Sequence, residues 1–285
     1  MRSTTRSAAL RFISAQVLVL ALVTALPGAF AQSEFPPVAG LVEPGPIPAG
    51  NTTALFAHLA IGGGFTTTFT LLNTGSTALT GTLILTGQDG IPLAASLASG
   101  SVHSNGSTIE VNIPPGGIQF VTASPLGQSV PTAGWARVES SGGTLGGVAT
   151  FQLVSGGTLL TIAGVLASDL VTAATIPLDD DVPPPANRYT GYAVANPSSI
   201  DTIRIKVQTV DADGIPNAAL TPITLGPGEQ VATFVFQDPA ASRQFQGSVV
   251  LIGEGGKSFA VVALVQNQGL YTAIPVIPTK APHIS

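Results

Sequence analysis

The chain has 285 residues, 45 % of them hydrophobic and only 9 % charged, with 33 Gly, 23 Pro and no Cys. Fifteen acidic residues face ten basic ones, for a formal net charge of −5. This excludes a disordered chain, which would be charge-rich and poor in Val, Ile and Phe, and it excludes disulfides, thiolate metal sites and a Cys nucleophile.

Residues 1–31 read as a cleavable signal peptide. Arg2, Arg6 and Arg11 form a positive n-region, Ile13 to Leu26 an apolar h-region, and Ala29-Phe30-Ala31 a small-residue cleavage site before Gln32. The apolar run is shorter than the ~20 residues of a spanning helix. Cleavage would leave seven basic against 15 acidic residues. That balance has no footprint for nucleic acid and no polybasic patch for a membrane surface. Residues 32–51, rich in Pro, Gly and Ala, read as an extended arm.

From position 52 onward, short runs of Val, Ile, Leu, Thr and Phe alternate with Gly, Pro, Asn and Asp. This is the signal for a β-sandwich or barrel, and no 3.6-residue apolar period competes with it. Phe69 and Leu71 are expected in the core of a first domain, 52–178. In the strand opened by Gly134, alternation puts Trp135, Arg137 and Glu139 on one face, opposite Ala136 and Val138. The small-residue side reads as core, so the only Trp of the chain is expected to be half-exposed. Beside Arg137 and Glu139 it forms a candidate ligand surface, with the loops Leu97–Thr108 and Leu126–Thr132.

Asp179-Asp180-Asp181 followed by Val182-Pro-Pro-Pro-Ala186 reads as a charged linker, 179–186, and its three carboxylates as a candidate calcium site. A second domain, 187–278, follows, with a tail at 279–285. In Thr202 to Gln208, Ile203, Ile205 and Val207 share one face and Arg204, Lys206 and Gln208 the other, as in a sheet with one wet side. Asp211-Ala-Asp213-Gly214 faintly resembles the start of a calcium loop, but the position for the closing Glu holds Pro222.

The two domains share landmarks in the same order. Phe69-Thr-Leu-Leu-Asn73 matches Tyr192-Ala-Val-Ala-Asn196, Asp89-Gly-Ile-Pro92 matches Asp213-Gly-Ile-Pro216, and Pro115-Gly116 matches Pro227-Gly228. Gly134 matches Gly247, and Leu160 to Val165 matches Tyr271 to Val276. One spacing differs: Gly90 to Gly116 spans 26 residues and Gly214 to Gly228 only 14. The excess, around Leu97 to Ser107, is expected as a lengthened loop. Pattern alone favours two tandem immunoglobulin- or fibronectin-like antiparallel β-sandwich domains behind a signal peptide, without the Cys…Trp…Cys signature of true immunoglobulin domains.

The run from Thr66 to Leu93, with Ile113 to Ala123, Thr132 to Ser140 and Thr161 to Val165, resembles tandem β-sandwich repeats of large secreted proteins from acidobacteria-like soil bacteria. Those repeats carry Asn-Pro after the first strand, a D-x-x-G-type turn and a Pro-x-Gly. Here Asn196-Pro197 keeps the first feature and Asn73-Thr74 does not, both turns read Asp-Gly, and Pro114-Pro115-Gly116 fits the last. The resemblance implies export and architecture and brings no active site.

None of His58, His103 and His283 has metal-ligand spacing to another, and no G-x-S-x-G elbow occurs. The expectation is therefore a secreted, non-catalytic structural or adhesive protein that needs no cofactor. Its partners would be copies of itself, other surface proteins or glycans, with no nucleic acid and, after signal cleavage, no membrane. The alternative is a carbohydrate- or small-ligand-binding module centred on Trp135.

Overall fold

A computed structural model describes residues 53–279, so the expected signal peptide, the arm and His283 lie outside the described residues. The first half contributes β1 (Thr53–Ile61), β2 (Phe65–Asn73), β3 (Leu79–Gly87), β4 (Ala95–Ser99), β5 (Val102–Gly106), β6 (Thr108–Ile113), β7 (Ile118–Ser124), β8 (Thr132–Ser141), β9 (Leu145–Ser155) and β10 (Thr158–Leu166). The second contributes β11 (Ala173–Asp181), β12 (Arg188–Ala195), β13 (Ile203–Asp211), β14 (Pro216–Ala219), β15 (Ile223–Leu225), β16 (Gln230–Phe234), β17 (Gln244–Gly253), β18 (Ala260–Asn267), β19 (Leu270–Ile274) and β20 (Ile277–Pro278). No α-helix occurs among the described residues, which form an all-β structure.

In the first half, a four-stranded sheet β1-β8-β3-β6 faces a six-stranded sheet β10-β9-β2-β7-β4-β5. Their inward residues form one core, in which Phe56 of β1 meets Phe69 of β2 edge-on at 5.1 Å between ring centroids. In the second half, β15-β13-β17-β11 lies against β16-β12-β18-β19. The two layers share a second core, and their strand ladders join only where Asp181 pairs with Arg188.

The order repeats. β1-β8-β3-β6 corresponds to β11-β17-β13-β15, and β10-β9-β2-β7 to β19-β18-β12-β16. An immunoglobulin constant domain sets its first strand beside its second. Here β1 pairs with β8, and β2 lies between β7 and β9, so the strand order departs from the immunoglobulin one.

The matched landmarks are matched in structure too. Asn73 and Asn196 are both fully buried. The Asn73 amide donates to the carbonyls of Thr77 (2.8 Å), Ile113 (3.1 Å) and Pro114 (3.2 Å). That of Asn196 donates to Asp201 (2.7 Å), Leu225 (3.3 Å) and Gly226 (2.8 Å). Each Asn ties the loop after its strand to the next layer. Asn73→Ala removes these bonds, the buried one to Ile113 among them, and those its Oδ1 accepts from Gly75 and Thr144, and is expected to cost about 2–4 kcal/mol, read as a lower urea midpoint. An unchanged midpoint would contradict this account of the repeat.

The Asp-Gly turns also coincide. Gly90 N–H donates to Gly87 O and Gly87 N–H to Ile91 O; in the second half Gly214 donates to Asp211 and Asp211 to Ile215. Asp211 Oδ1 further accepts the N–H groups of Asp213 (3.0 Å) and Ile215 (2.8 Å), so this carboxylate closes its own turn.

Two expectations are corrected. The extra residues of the first half form the β4–β5 hairpin, whose β4 pairs with β7, rather than a plain loop. Asp179–Asp181 are not linker. They end β11, the first strand of the second half, paired with Gln246, Phe245 and Gln244 of β17. The connection between halves lies earlier, between β10 and β11. Composition misled here because a run of Asp looks like solvated chain. In the strand, Arg188 (2.8 Å) and Gln246 (3.1 Å) bind Asp179, and Gln244 (3.1 Å) binds Asp181.

The sheet containing β12 and β18 is buried on both faces. Tyr192, Val194, Val261 and Ala263 enter the second core. Their alternates Ala193, Ala195, Ala260, Val262 and Leu264 join the first core. Small side chains on that side let the first half approach closely. β1 lies against this sheet and is buried from Ala54 to Ile61. The halves are thus joined by core packing, not by a tether.

Candidate functional site

β8 carries Trp135, Arg137 and Glu139 at alternate positions on the outward face of its sheet, opposite Ala136 and Val138 in the core. The expected half-exposed indole is instead fully buried, at 0 % exposure. The second half covers it: Trp135 Nε1–H donates to the Gly228 carbonyl at 2.7 Å. Alternation identifies which residues share a face, but it is silent on what lies over that face.

The two repeated turns make this cover. Gln230 N–H donates to Gln88 O (3.1 Å), and Asp89 bridges to Glu229. Gly90, at φ +77°, comes so close that a Cβ there would sit 2.6 Å from Pro227 O. Only glycine meets both demands. The Asp-Gly turn of the first half therefore docks on the Pro-Gly turn of the second.

Beside this contact runs a cleft of ≈ 1270 Å³ between the halves. Arg137, Glu139 and Ile84 line one wall, and Ser198, Asp201 and Lys257 line the other. Arg137 Nε donates to Glu139 Oε1 at 2.7 Å, and its guanidinium lies 5.7 Å from the Trp135 ring centre. Lys257 Nζ is 3.2 Å from Asp201 Oδ2. Both ion pairs are part-exposed, and such pairs contribute only about 0–1 kcal/mol, so they can exchange partners with a ligand. Donors and acceptors are balanced, which suits a hydroxylated or amide-bearing surface better than a polyanion.

No family model, curated protein or solved structure matches the chain.

The remaining sequence-predicted positions do not converge on this cleft. The β4–β5 hairpin, holding most of Leu97–Thr108, belongs to the six-stranded sheet, on the far side of the sandwich from the outward face of β8. The loop Leu126–Thr132 packs back on the β1–β2 turn, where a Cβ at Gly62 would lie 2.4 Å from Val130 O. The Asp triplet is split by strand alternation. Asp180 points inward with Ala174, Ile176 and Leu178, while Asp179 and Asp181 point outward. No cluster of three His, Asp or Glu able to hold a metal occurs among the described residues.

Asp180 is 2 % exposed. Its Oδ1 accepts the Thr190 N–H at 2.6 Å, and its Oδ2 has no partner. Burial raises its pKa from 3.8 to about 6, against the lowering effect of the Thr190 hydrogen bonds. His58 is buried between the halves. Its ring stands edge-on to Phe151 at 5.4 Å, and its Nδ1 lies 3.4 Å from Gln230 Nε2. Desolvation lowers its pKa to about 4, so it is neutral at pH 7. Gln230 Nε2 also donates to Ala57 O at 3.2 Å, making Gln230 a polar link between halves that sequence reading missed. The available signal was the apolar runs ALFAHLAI, interrupted only by His58, GYAVA and AVVALV, which mark strands buried on both faces.

Proposed function

We propose that the chain is a secreted, non-catalytic structural or adhesive β-sandwich protein, built from a duplicated module and working as a rigid spacer or contact element outside the cytoplasm. The observation that carries this reading is the sheet of β12 and β18, buried on both faces. It holds the halves in one orientation. An enzyme that closes on its substrate between domains needs a mobile junction; a spacer benefits from a fixed one. Thr-rich, charge-poor outer strands also suit repeated surface contacts. The export element of this proposal rests on residues 1–31, and the kinship with secreted tandem repeats rests on the turn motifs around Asn196-Pro197 and Pro114-Pro115-Gly116.

The test is retention. Residues 32–285, labelled and added to washed cells of the producing organism, are expected to sediment with them. Recovery wholly in the supernatant contradicts the adhesive reading. Loss of retention on joint alanine replacement of Arg137, Glu139, Asp201 and Lys257 would identify the cleft as the contact.

A further inference from the structure

We infer that the bare outer face of the six-stranded sheet is a dimerisation surface, on which a second copy of this chain packs with the same face. The argument starts from the duplication. In the second half the corresponding sheet turns Ala193, Ala195, Ala232, Ala260, Val262 and Leu264 outward, and all six pack on the first core. By strand pairing these positions correspond to Thr70, Leu72, Phe120, Gly146, Val148 and Thr150 of the first half. None of these six is charged, and among the described residues Phe120 is exposed while the other five are only half-buried. Phe120 is 55 % exposed, Ile118 on the same strand 51 %, and Leu166, three strands away on β10, 72 %.

The other pair of sheets behaves differently. The outward face of β6 and β8 bears Glu110, Arg137 and Glu139, and that of β13 bears Arg204 and Lys206. Both halves therefore place charge on the outward face of one kind of sheet and withhold it from the outward face of the other kind. One uncharged face is buried inside the molecule, and its repeat is open. Withholding charge from an open face has a cost in solubility that burial would remove.

The occupant follows from charge and area. Two copies of an uncharged face meet without like-charge repulsion, as a two-fold contact requires. One threonine pair on it is already mutually bonded, Thr68 and Thr122 at 3.2 Å between hydroxyls, so that pair can be covered without stranding a polar group. Six strands about 4.8 Å apart and roughly 20 Å long give on the order of 600 Å² in projection. Side-chain relief brings the accessible area near the ~800 Å² per partner of a standard stable interface. A head-to-tail continuation, repeating the contact between the halves, is blocked. The edge of β11, which corresponds to β1, is already occupied by β20, with Thr175 paired to Ile277.

Sedimentation velocity of residues 32–285 tests this at micromolar concentration. The expected mass is that of two chains. Phe120→Arg, at an exposed position, is expected to give one-chain mass while still unfolding in a cooperative thermal transition, lowered only by loss of the dimer contact, and Thr70→Arg the same; Phe120→Leu should keep the dimer. A wild-type monomer overturns the inference, as does an unchanged mass in both Arg variants or a ladder of larger species. So does a monomer that dimerises only when residues 32–52 are removed, because the arm would then be the occupant. This inference does not rest on adhesion: a dimer that fails to bind cells leaves it standing, and a cell-binding monomer removes it alone.

Discussion

Trp135→Ala is expected to lower the free energy of unfolding by about 3–5 kcal/mol, the usual loss for a large aromatic side chain removed from a core. At roughly 2–4 °C per kcal/mol for a chain of this size, the melting temperature should fall by roughly 6–20 °C. Trp135 is fully buried, and its N–H satisfies the Gly228 carbonyl across the two halves at 2.7 Å. Alanine leaves both a cavity and an unpaired carbonyl. Trp135→Phe keeps most of the volume and loses the hydrogen bond, for about 1–2 kcal/mol. The result separates two roles cleanly. An exposed sugar-stacking Trp could be removed within about 0.5 kcal/mol, as for most surface substitutions. As the only Trp, it also reports its own burial: native emission should be blue-shifted and resist iodide quenching until the chain unfolds.

Opposite pH dependences are expected from His58→Gln and Asp180→Asn. The folded pKa of His58 is about 4 against 6.5 for the free group. Its contribution is present above pH 6.5 and is lost as pH falls toward 4, because the unfolded state binds the proton first. The folded pKa of Asp180 is about 6 against 3.8. Here the native state binds the proton first, so the contribution is full below pH 3.8 and is lost as pH rises to 6. At ~1.4 kcal/mol per unit, each amounts to about 3 kcal/mol, in opposite directions over nearly the same window. In the wild type they largely cancel. Asp180→Asn should therefore gain stability relative to wild type at pH 7.5, where the ionised carboxylate has an unpaired Oδ2, and lose that gain by pH 4. His58→Gln should improve relative to wild type as pH falls from 7 to 4. Urea unfolding of the three proteins at pH 4.5 and 7.5 checks this, since other carboxylates cancel in the differences. A pH-independent difference for either variant contradicts the burial account of that group.

The fold was legible where a residue's own neighbours decide its place. Ile203, Ile205 and Val207 are buried and Arg204 and Lys206 exposed, because alternation is a property of one strand. The duplication was legible in Asn73 and Asn196, whose buried amides demand the same loop geometry twice. What lay beyond reach depends on a distant layer. Trp135 and Ala136 are adjacent and both buried, one under the Pro227–Gly228 turn and one in the sandwich core. Asp180 looked like one of three equal carboxylates until strand pairing turned it inward. The candidate cleft draws Arg137 and Glu139 from one half and Asp201 and Lys257 from the other, about 60 to 120 positions apart in sequence, which no local pattern could join.

The central claim is that the two halves form a single mechanical unit because the sheet of β12 and β18 serves both cores. Differential scanning calorimetry of residues 32–285 addresses it most directly. One endotherm is expected, with calorimetric and van't Hoff enthalpies in agreement. Ala193→Glu, which forces a charge between the cores, should split it or depress it sharply. Two resolved transitions in the unmodified chain, each unmoved by Ala193→Glu, would contradict the claim.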